Sequence, residues 1–574
     1  MSSQDEQAAG QSPGHAPGHG GAQAVAAARA HGVQTMFTLS GGHVFPLYDG
    51  AVKADPPMPI VDVRHEQTAV FAAEATARLT RAPGLAVLTA GPGVTNGISA
   101  VTSAYFNGSP VVVIGGRAPD YRWGSGSLQE LDHPALLAPV TKRAWTEHDA
   151  AGVGTAVTEA FRLATTPHRG PVFLDVSLEA LFGTPEPRPG PSGPDGPSGS
   201  GPSGPDGPAP GRGPDPGAVA EIARLLAQSS RPVLVLGSDV WLDGAEQAAR
   251  SAAEQLRLPV IVNGQARGIL PAGHELLVSR ARSMALGEAD LVIVAGTPLD
   301  FRLGYGEYGG KNGAPRASVV HVADSPGQIA AHRELAASAA GDLTAFFTGL
   351  ADSASPGRVR DPDWLPRLAG ACRAAMSGDG ALLASDAVPI HPLRIYGELA
   401  PLLEADAVII GDGGDFVSYA GKYLEPQRPG GWLDPGPYGC LGTGLGYAIA
   451  ARIARPSAQV VLLLGDGAAG FSLMDADTLV RHRLPVVMIC GNNGIWGLEK
   501  HPMQALYGYD VAADLQPQCR YDQVVTALGG AGELVTAPGD IGPALRRAFA
   551  AGVPYLVNIS TDPRDAYPRS TTGI

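Results

Sequence analysis

Asp466 stands between two glycines, in Gly465-Asp466-Gly467, and after a further 24 residues the chain reads Asn492-Asn493. A carboxylate, a neutral amide oxygen and a nearby backbone carbonyl make a hard-oxygen set that suits Mg2+. That ion binds few protein oxygens and completes its octahedron with water and phosphate oxygens. Gly467 leaves out a side chain where a diphosphate must approach backbone N–H groups. Taken alone, Gly-Asp-Gly reads more readily as a strand-end aspartate capping a helix, so the surrounding elements decide.

Those elements favour a site. Val460 to Leu464 is a continuous apolar run leading straight into Gly465-Asp466-Gly467. A helix over about Met474 to Arg481 returns across the sheet, and the strand Pro485 to Ile489 delivers Asn492-Asn493. Asp466 and Asn493 are therefore expected at the carboxyl ends of two parallel strands, where open α/β sheets bind ligands. The same alternation recurs along the chain. Apolar strands at Val33 to Leu39, Ile60 to Val63, Gly84 to Thr89 and Val111 to Ile114 alternate with helices at βαβ spacing. The pattern restarts at Ala218 and again near Pro362. Continuous apolar strands at this spacing signal parallel sheets covered on both faces. The expected fold is α/β, with three doubly wound parallel-sheet domains.

The domain plan comes from composition. Residues 183–217 hold 12 Pro and 11 Gly without a collagen period, which reads as a flexible linker. Residues 1–21 are polar and Gly-rich and read as a disordered tail. The expected domains are then 22–182, 218–350 and 362–574. A net charge of −14 with no basic run excludes an electrostatic footprint for nucleic acid. No run approaches 18 apolar residues, so no membrane span is expected. The N-terminus MSSQDEQAAG has neither the basic nor the apolar part of a signal peptide, and the four cysteines are scattered. A cytoplasmic protein is expected.

GDGAAGF followed by GNNGIWG resembles the thiamin-diphosphate motif of the acetolactate synthase, pyruvate decarboxylase and benzaldehyde lyase superfamily. VRHEQTAVFAAEATAR (Val63 to Arg78) and GPGVTNGISA (Gly91 to Ala100) are similar to segments of its pyrimidine-binding domain. LSGGH, GSLQE, WLDPGPYGCLG and NNGIWGLEKHPM bring the chain nearest to actinobacterial acetolactate synthase large-subunit homologues. The resemblance implies roles. Asp466 and Asn493 would be side-chain Mg2+ ligands, with Ile495 adding a carbonyl. Gly467, Ala468 and the loop Gly411, Gly413, Gly414, Asp415 and Phe416 would hold the diphosphate. Leu441 would prop the cofactor into a bent shape, and Gly439 would accept from its 4′-amino group. Glu66 would hydrogen-bond N1′ of the aminopyrimidine and drive formation of the reactive imino tautomer. Asn96 falls in the GPGVTN segment and counts with the cofactor-binding residues. His43 matches a proton-relay histidine of benzaldehyde lyase, although alone it reads also as a loop histidine bonded to backbone. Gln129 matches an active-site glutamine that would bind the substrate carbonyl or carboxylate.

Similarity also implies a homodimer or homotetramer with active sites at the dimer interface, because Glu66 and the Mg2+ ligands lie in different domains. In the central domain, Arg280 and Arg282 suggest a nucleotide, FAD or ADP. The chain departs from well-studied acetolactate synthases at the acceptor pocket: about Pro502 stands where they carry a tryptophan, and Leu128 stands where an aromatic precedes the glutamine. The leading reading is decarboxylation of a 2-ketoacid such as pyruvate and transfer of the acyl-anion unit to a second carbonyl. The alternative is a lyase or acyloin ligase of the benzaldehyde lyase or 2-hydroxyacyl-CoA lyase type, acting on a 2-hydroxy ketone or 2-hydroxyacyl-CoA.

Overall fold

The computed structural model describes residues 18–185, 213–354, 361–565 and 567. Most of the expected tail and linker therefore lies outside the described residues. The first helix, Gly20–Ala30, begins inside the stretch assigned to the tail, because the His19 ring accepts the Ala22 N–H and caps it. Pro216–Gln228 likewise begins inside the stretch assigned to the linker, capped by the Asp215 carboxylate. Local capping groups set both starts, and bulk composition does not reveal them.

Three sheets follow, and every strand pairing in them is parallel. The first runs in the spatial order Ile60–Asp62, Met36–Thr38, Gly84–Leu88, Val111–Arg117, Val172–Ser177, Ala144–Glu147. The central sheet has five strands, with Leu291–Ala295 in the middle. The third runs Trp432–Leu433, Val408–Asp412, Val460–Gly465, Val487–Asn492, Tyr555–Ser560, Ala531–Val535. Its inner strands are buried on both faces, as their unbroken apolar runs require.

The first and third domains share one core. Helix Glu66–Thr80 of the first packs on helix Thr443–Ala454 of the third, and the Phe71 and Tyr447 rings meet edge to face at 6.0 Å. A side chain at Gly446 would stand 2.7 Å from Phe71 Cβ, so only glycine lets these helices approach so closely. A buried polar knot locks the contact. Tyr447 donates to Glu74 at 2.9 Å, Asn107 donates to Glu74 at 2.7 Å, and Arg78 donates to the Tyr447 hydroxyl at 3.2 Å. Arg78 also donates to the Asp434 carbonyl, and its own carbonyl accepts from Trp241 of the central domain. A fully satisfied network of this kind fixes one relative placement of its elements. The first and central domains meet where His168 faces Asp324 at 3.0 Å and Asp239 lies close by. Arg169, bonded to Asp243 and 3.9 Å from Asp324, supplies further positive charge there. His168 and Arg169 both face the buried Asp324, which suits an electrostatic domain joint.

Candidate active site

Val460–Gly465 pairs with Val487–Asn492 so that Gly465 lies opposite Gly491. Asp466 and Asn493 thus leave adjacent strands side by side. The turn into helix Asp466–Ser472 holds the aspartate in place. Its carboxylate accepts the Gly494 N–H at 2.6 Å and the Gly467 N–H at 2.9 Å. Asn493 Oδ1 accepts the Ile495 N–H at 3.2 Å. Burial pushes the Asp466 carboxyl up to about 6, and the backbone N–H groups of Gly494 and Gly467 draw it back down. No lysine or arginine pairs with it among the described residues. A buried, uncompensated carboxylate beside a neutral amide oxygen is a donor set that fits a hard dication.

These groups open into a cleft of about 370 Å3. Gly413, Gly414, Asp415, Phe416, Gly439, Leu441, Gly467, Ala468 and Ile495 all line it, together with Asp466 and Asn493. Gly411 does not. It lies within strand Val408–Asp412, and its place is set by Val417, whose side chain a Cβ there would strike at 2.5 Å. Gly467 has a reason that its motif conceals: a Cβ there would stand 2.4 Å from the Trp496 ring. Trp496 in turn meets Phe471 edge to face, so an aromatic wall stands over the turn. Asp412, which the sequence did not single out, is fully buried and accepts the N–H groups of Gly442 and Gly444 at 3.0 and 2.8 Å. It caps helix Thr443–Ala454 and anchors the segment that presents Leu441. Burial pushes its carboxyl up to about 7 against those two hydrogen bonds.

The other expected residues gather elsewhere. Glu66 opens helix Glu66–Thr80, is 7% exposed, and accepts from Asn96 Nδ2 at 3.0 Å. Asn96 is thus a partner of Glu66 and does not line the Asp466 cleft. His65, beside it, caps the helix by accepting the Gln67 N–H. His43 and Gln129 line a separate cleft of about 620 Å3. His43 Nδ1 lies 3.3 Å from the Thr89 hydroxyl. Burial, with His133 nearby, lowers its pKa below the ordinary imidazole range. Gln129 adopts φ +63°, a left-handed conformation uncommon for a residue with a side chain. Behind it His133, fully buried, accepts the Gly91 N–H at 2.9 Å through Nε2 and faces Asp175 at 3.0 Å through Nδ1. A backbone donor at Nε2 puts the ring proton on Nδ1, directed at Asp175. That chain fixes the turn at Gly91, against which Gln129 packs.

The two clefts share no lining residue, and the Glu66 carboxylate does not line the Asp466 cleft of its own chain. The neighbours of Glu66 face its own third domain: the Arg64 N–H and Thr68 hydroxyl both donate to Asp475. Glu66 itself is turned to Asn96. In the central domain, Arg280 pairs with Asp379 at 2.5 Å and Arg282 donates to the Arg302 carbonyl at 2.7 Å. Both arginines thus hold protein partners. Pro502 lies inside helix Gly497–Tyr507, away from the lining of either cleft. No helix among the described residues is long and apolar enough to cross a membrane.

Three family models match the chain. The thiamine pyrophosphate enzyme N-terminal TPP binding domain covers residues 19–136, the central domain 219–350 and the C-terminal TPP binding domain 412–559. The chain is 49% identical over 549 residues to the acetolactate synthase large subunit IlvG of Mycobacterium tuberculosis and to a probable acetolactate synthase of Mycobacterium bovis, covering 94% of this chain and 95% of each relative. It is 34% identical over 546 residues to 2-hydroxyacyl-CoA lyase 2 of Caenorhabditis elegans, covering 90% of this chain and 84% of that one. With thiamin-diphosphate-binding domains at both ends and this likeness over nearly its full length, the chain belongs to the thiamin-diphosphate-dependent acetolactate synthase family.

Proposed function

We propose that the two clefts are the halves of one composite active site, completed between two copies of the chain, and that the site joins a 2-ketoacid-derived acyl unit to a second carbonyl. The observation that carries this reading is the separation itself. The groups suited to a metal diphosphate line one cleft, and the carboxylate suited to an aminopyrimidine, held by Asn96, stands outside that lining in a chain whose first and third domains are locked together. A second copy supplies the missing half without disturbing that lock, which requires at least a dimer with isologous contacts.

In this reading Asp466, Asn493 and the Ile495 carbonyl hold Mg2+. Gly467, Ala468 and the loop from Gly411 to Phe416 offer backbone to the diphosphate, with Gly411 acting only through the strand. Leu441 shapes the cofactor and the Gly439 carbonyl accepts from its amino group. When bound, thiamin diphosphate supplies a nucleophilic carbon and an electron sink. Glu66 holds a proton at the aminopyrimidine N1′, and Asn96 orients its carboxylate. His43, neutral at pH 7 because its pKa is lowered, is placed to accept or return a proton, and Gln129 to orient the substrate by its amide. The likeness to acetolactate synthases at 49% identity favours carboligation with 2-ketoacids over the lyase reading at 34%. A nucleotide, FAD or ADP, would be sought beside Arg280, which lines a cavity of about 650 Å3. A cytoplasmic location agrees with the cysteine pattern.

Product analysis with thiamin diphosphate, Mg2+ and pyruvate tests the reading. Acetolactate with release of CO2 is the expected result. No pyruvate turnover, with cleavage of a 2-hydroxyacyl-CoA or 2-hydroxy ketone, would replace it with the lyase reading.

A further inference from the structure

Where the first domain meets the central one, His168, Asp239 and Asp324 each offer a ring nitrogen or a carboxylate oxygen within 4.8 Å of the other two. The two aspartates follow strands Pro232–Leu236 and Ser318–Ala323, which flank Leu291–Ala295 in the central sheet. They stand at the carboxyl ends of parallel strands, where α/β sheets take ligands. His168 reaches them from the loop between helix Val153–Thr165 and strand Val172–Ser177. Gly108 sets its ring: a Cβ there would stand 2.6 Å from Nε2, so that edge packs on bare backbone. The other edge faces Asp324, with Nδ1 at 3.1 and 3.0 Å from the two carboxylate oxygens. Asp239 is 8% exposed, and its carboxylate forms no hydrogen bond or ion pair among the described residues. The cations nearby are engaged. Arg169 pairs with Asp243 at 2.5 Å and stands 3.9 Å from Asp324, and Lys142 donates to the Thr166 carbonyl at 2.6 Å. A protonated His168 answers Asp324 and still leaves Asp239 a buried carboxylate with no donor, which is a costly arrangement.

We propose that His168 Nδ1 and one oxygen each of Asp239 and Asp324 bind a divalent transition-metal ion of the Zn2+ type, which ties the first domain to the central one. Two carboxylates cancel the charge of the dication, and the imidazole binds in its neutral form, its Nδ1 proton passing to solvent. The donor types suit this class of ion. Imidazole with carboxylates is a set for Zn2+ and its neighbours, whereas Mg2+ and Ca2+ take oxygen. The spacing suits it too. Two bonds of about 2.1 Å span about 3.0 to 3.4 Å at octahedral or tetrahedral angles, and about 4.2 Å when opposed. His168 and Asp324 already stand 3.0 Å apart, and the whole set lies within 4.8 Å, so a small inward shift of Asp239 closes the site. Water completes the coordination. The site lies in the joint between domains and does not depend on which carbonyl reaction the enzyme performs.

The test uses the full chain, stripped of metal with a chelator, refilled with thiamin diphosphate and excess Mg2+ so that the Asp466 cleft is occupied, and titrated calorimetrically with Zn2+. One Zn2+ should bind per chain. Asp239→Asn and His168→Gln should each weaken it about a hundredfold or more, since losing a ligand exceeds the cost of losing a group that only orients one. His148→Ala, at the exposed His148–Asp120 pair, should leave the affinity within about twofold and so separates this site from surface binding. Zn2+ should also raise the Tm of the wild type and leave that of Asp239→Asn unmoved, because an ion bound only by the folded chain stabilises it. Asp239→Asn is isosteric and removes a buried charge, so it decides the matter even where His168→Gln loosens the joint. Absence of stoichiometric Zn2+ binding by the wild type would overturn the proposal and leave a proton on Asp239 as the answer to its charge. Zn2+ affinity undiminished in Asp239→Asn would overturn it equally.

Discussion

The Asp466 cleft and the Glu66–His43–Gln129 region are built by different means. The first is made of strand ends and backbone. Asp466 and Asn493 leave neighbouring strands in register, and their side chains are held by the N–H groups of residues one and two positions on, or by Gly494 nearby. The second is made of side chains held by other side chains from distant parts of the chain: Glu66 by Asn96, His43 by Thr89, the Gly91 turn by His133 and Asp175. A backbone-built site suits a metal diphosphate, which needs fixed oxygens and bare N–H groups. A side-chain-built site suits proton handling, where protonation state follows from neighbours. The difference teaches where each half is vulnerable: the first to loss of a ligand, the second to loss of a protonation state.

Asp466→Ala removes the carboxylate that follows strand Val460–Gly465 and should have the largest effect, lowering activity on the order of a thousandfold through lost cofactor retention. A fluorescence titration with thiamin diphosphate and Mg2+ checks this, and normal binding would remove Asp466 from the metal site. Glu66→Gln keeps shape and burial but withdraws the proton-holding carboxylate. Turnover should fall about a hundredfold or more, while cofactor affinity stays within about threefold; a parallel loss of both would make Glu66 a binding residue and blur the contrast. His43→Gln should have the smallest effect, about tenfold in kcat/KM. It should also change the pH profile. Because the His43 pKa lies below the ordinary 6.5, the wild-type acidic limb should fall below that pH, and the variant should lose it. An identical acidic limb in wild type and variant would take His43 out of the proton path.

The backbone-built half was the more legible in sequence. A strand that runs straight into Gly-Asp-Gly and a second that ends at Asn-Asn place their own residues, because period and length suffice to locate strand ends. What that reading missed lay in contacts across space. Gly467 is glycine in part because Trp496 stands over it, and Asp412 matters because two N–H groups 30 and 32 residues away need an acceptor. The side-chain-built half had no local signal. Glu66, His43 and Gln129 were named through family resemblance, and their holders Thr89 and His133 were not, because those pairings span 46 and 42 residues. The strained φ of Gln129 is likewise invisible without the backbone. Helix starts at Gly20 and Pro216 were obscured by Gly- and Pro-rich composition, although His19 and Asp215 were there to cap them.

Mixing two inactive variants tests the central claim, that the halves meet between chains. Asp466→Ala and Glu66→Gln chains are unfolded or dissociated together, reassembled in equal amounts and assayed. If each active site takes Glu66 from one chain and Asp466 from the other, every mixed dimer carries one intact site and one doubly damaged one. Random pairing then restores about a quarter of wild-type activity. Activity no greater than that of the two variants alone, with mixed dimers demonstrated by mass, would place the whole site within a single chain and contradict the account.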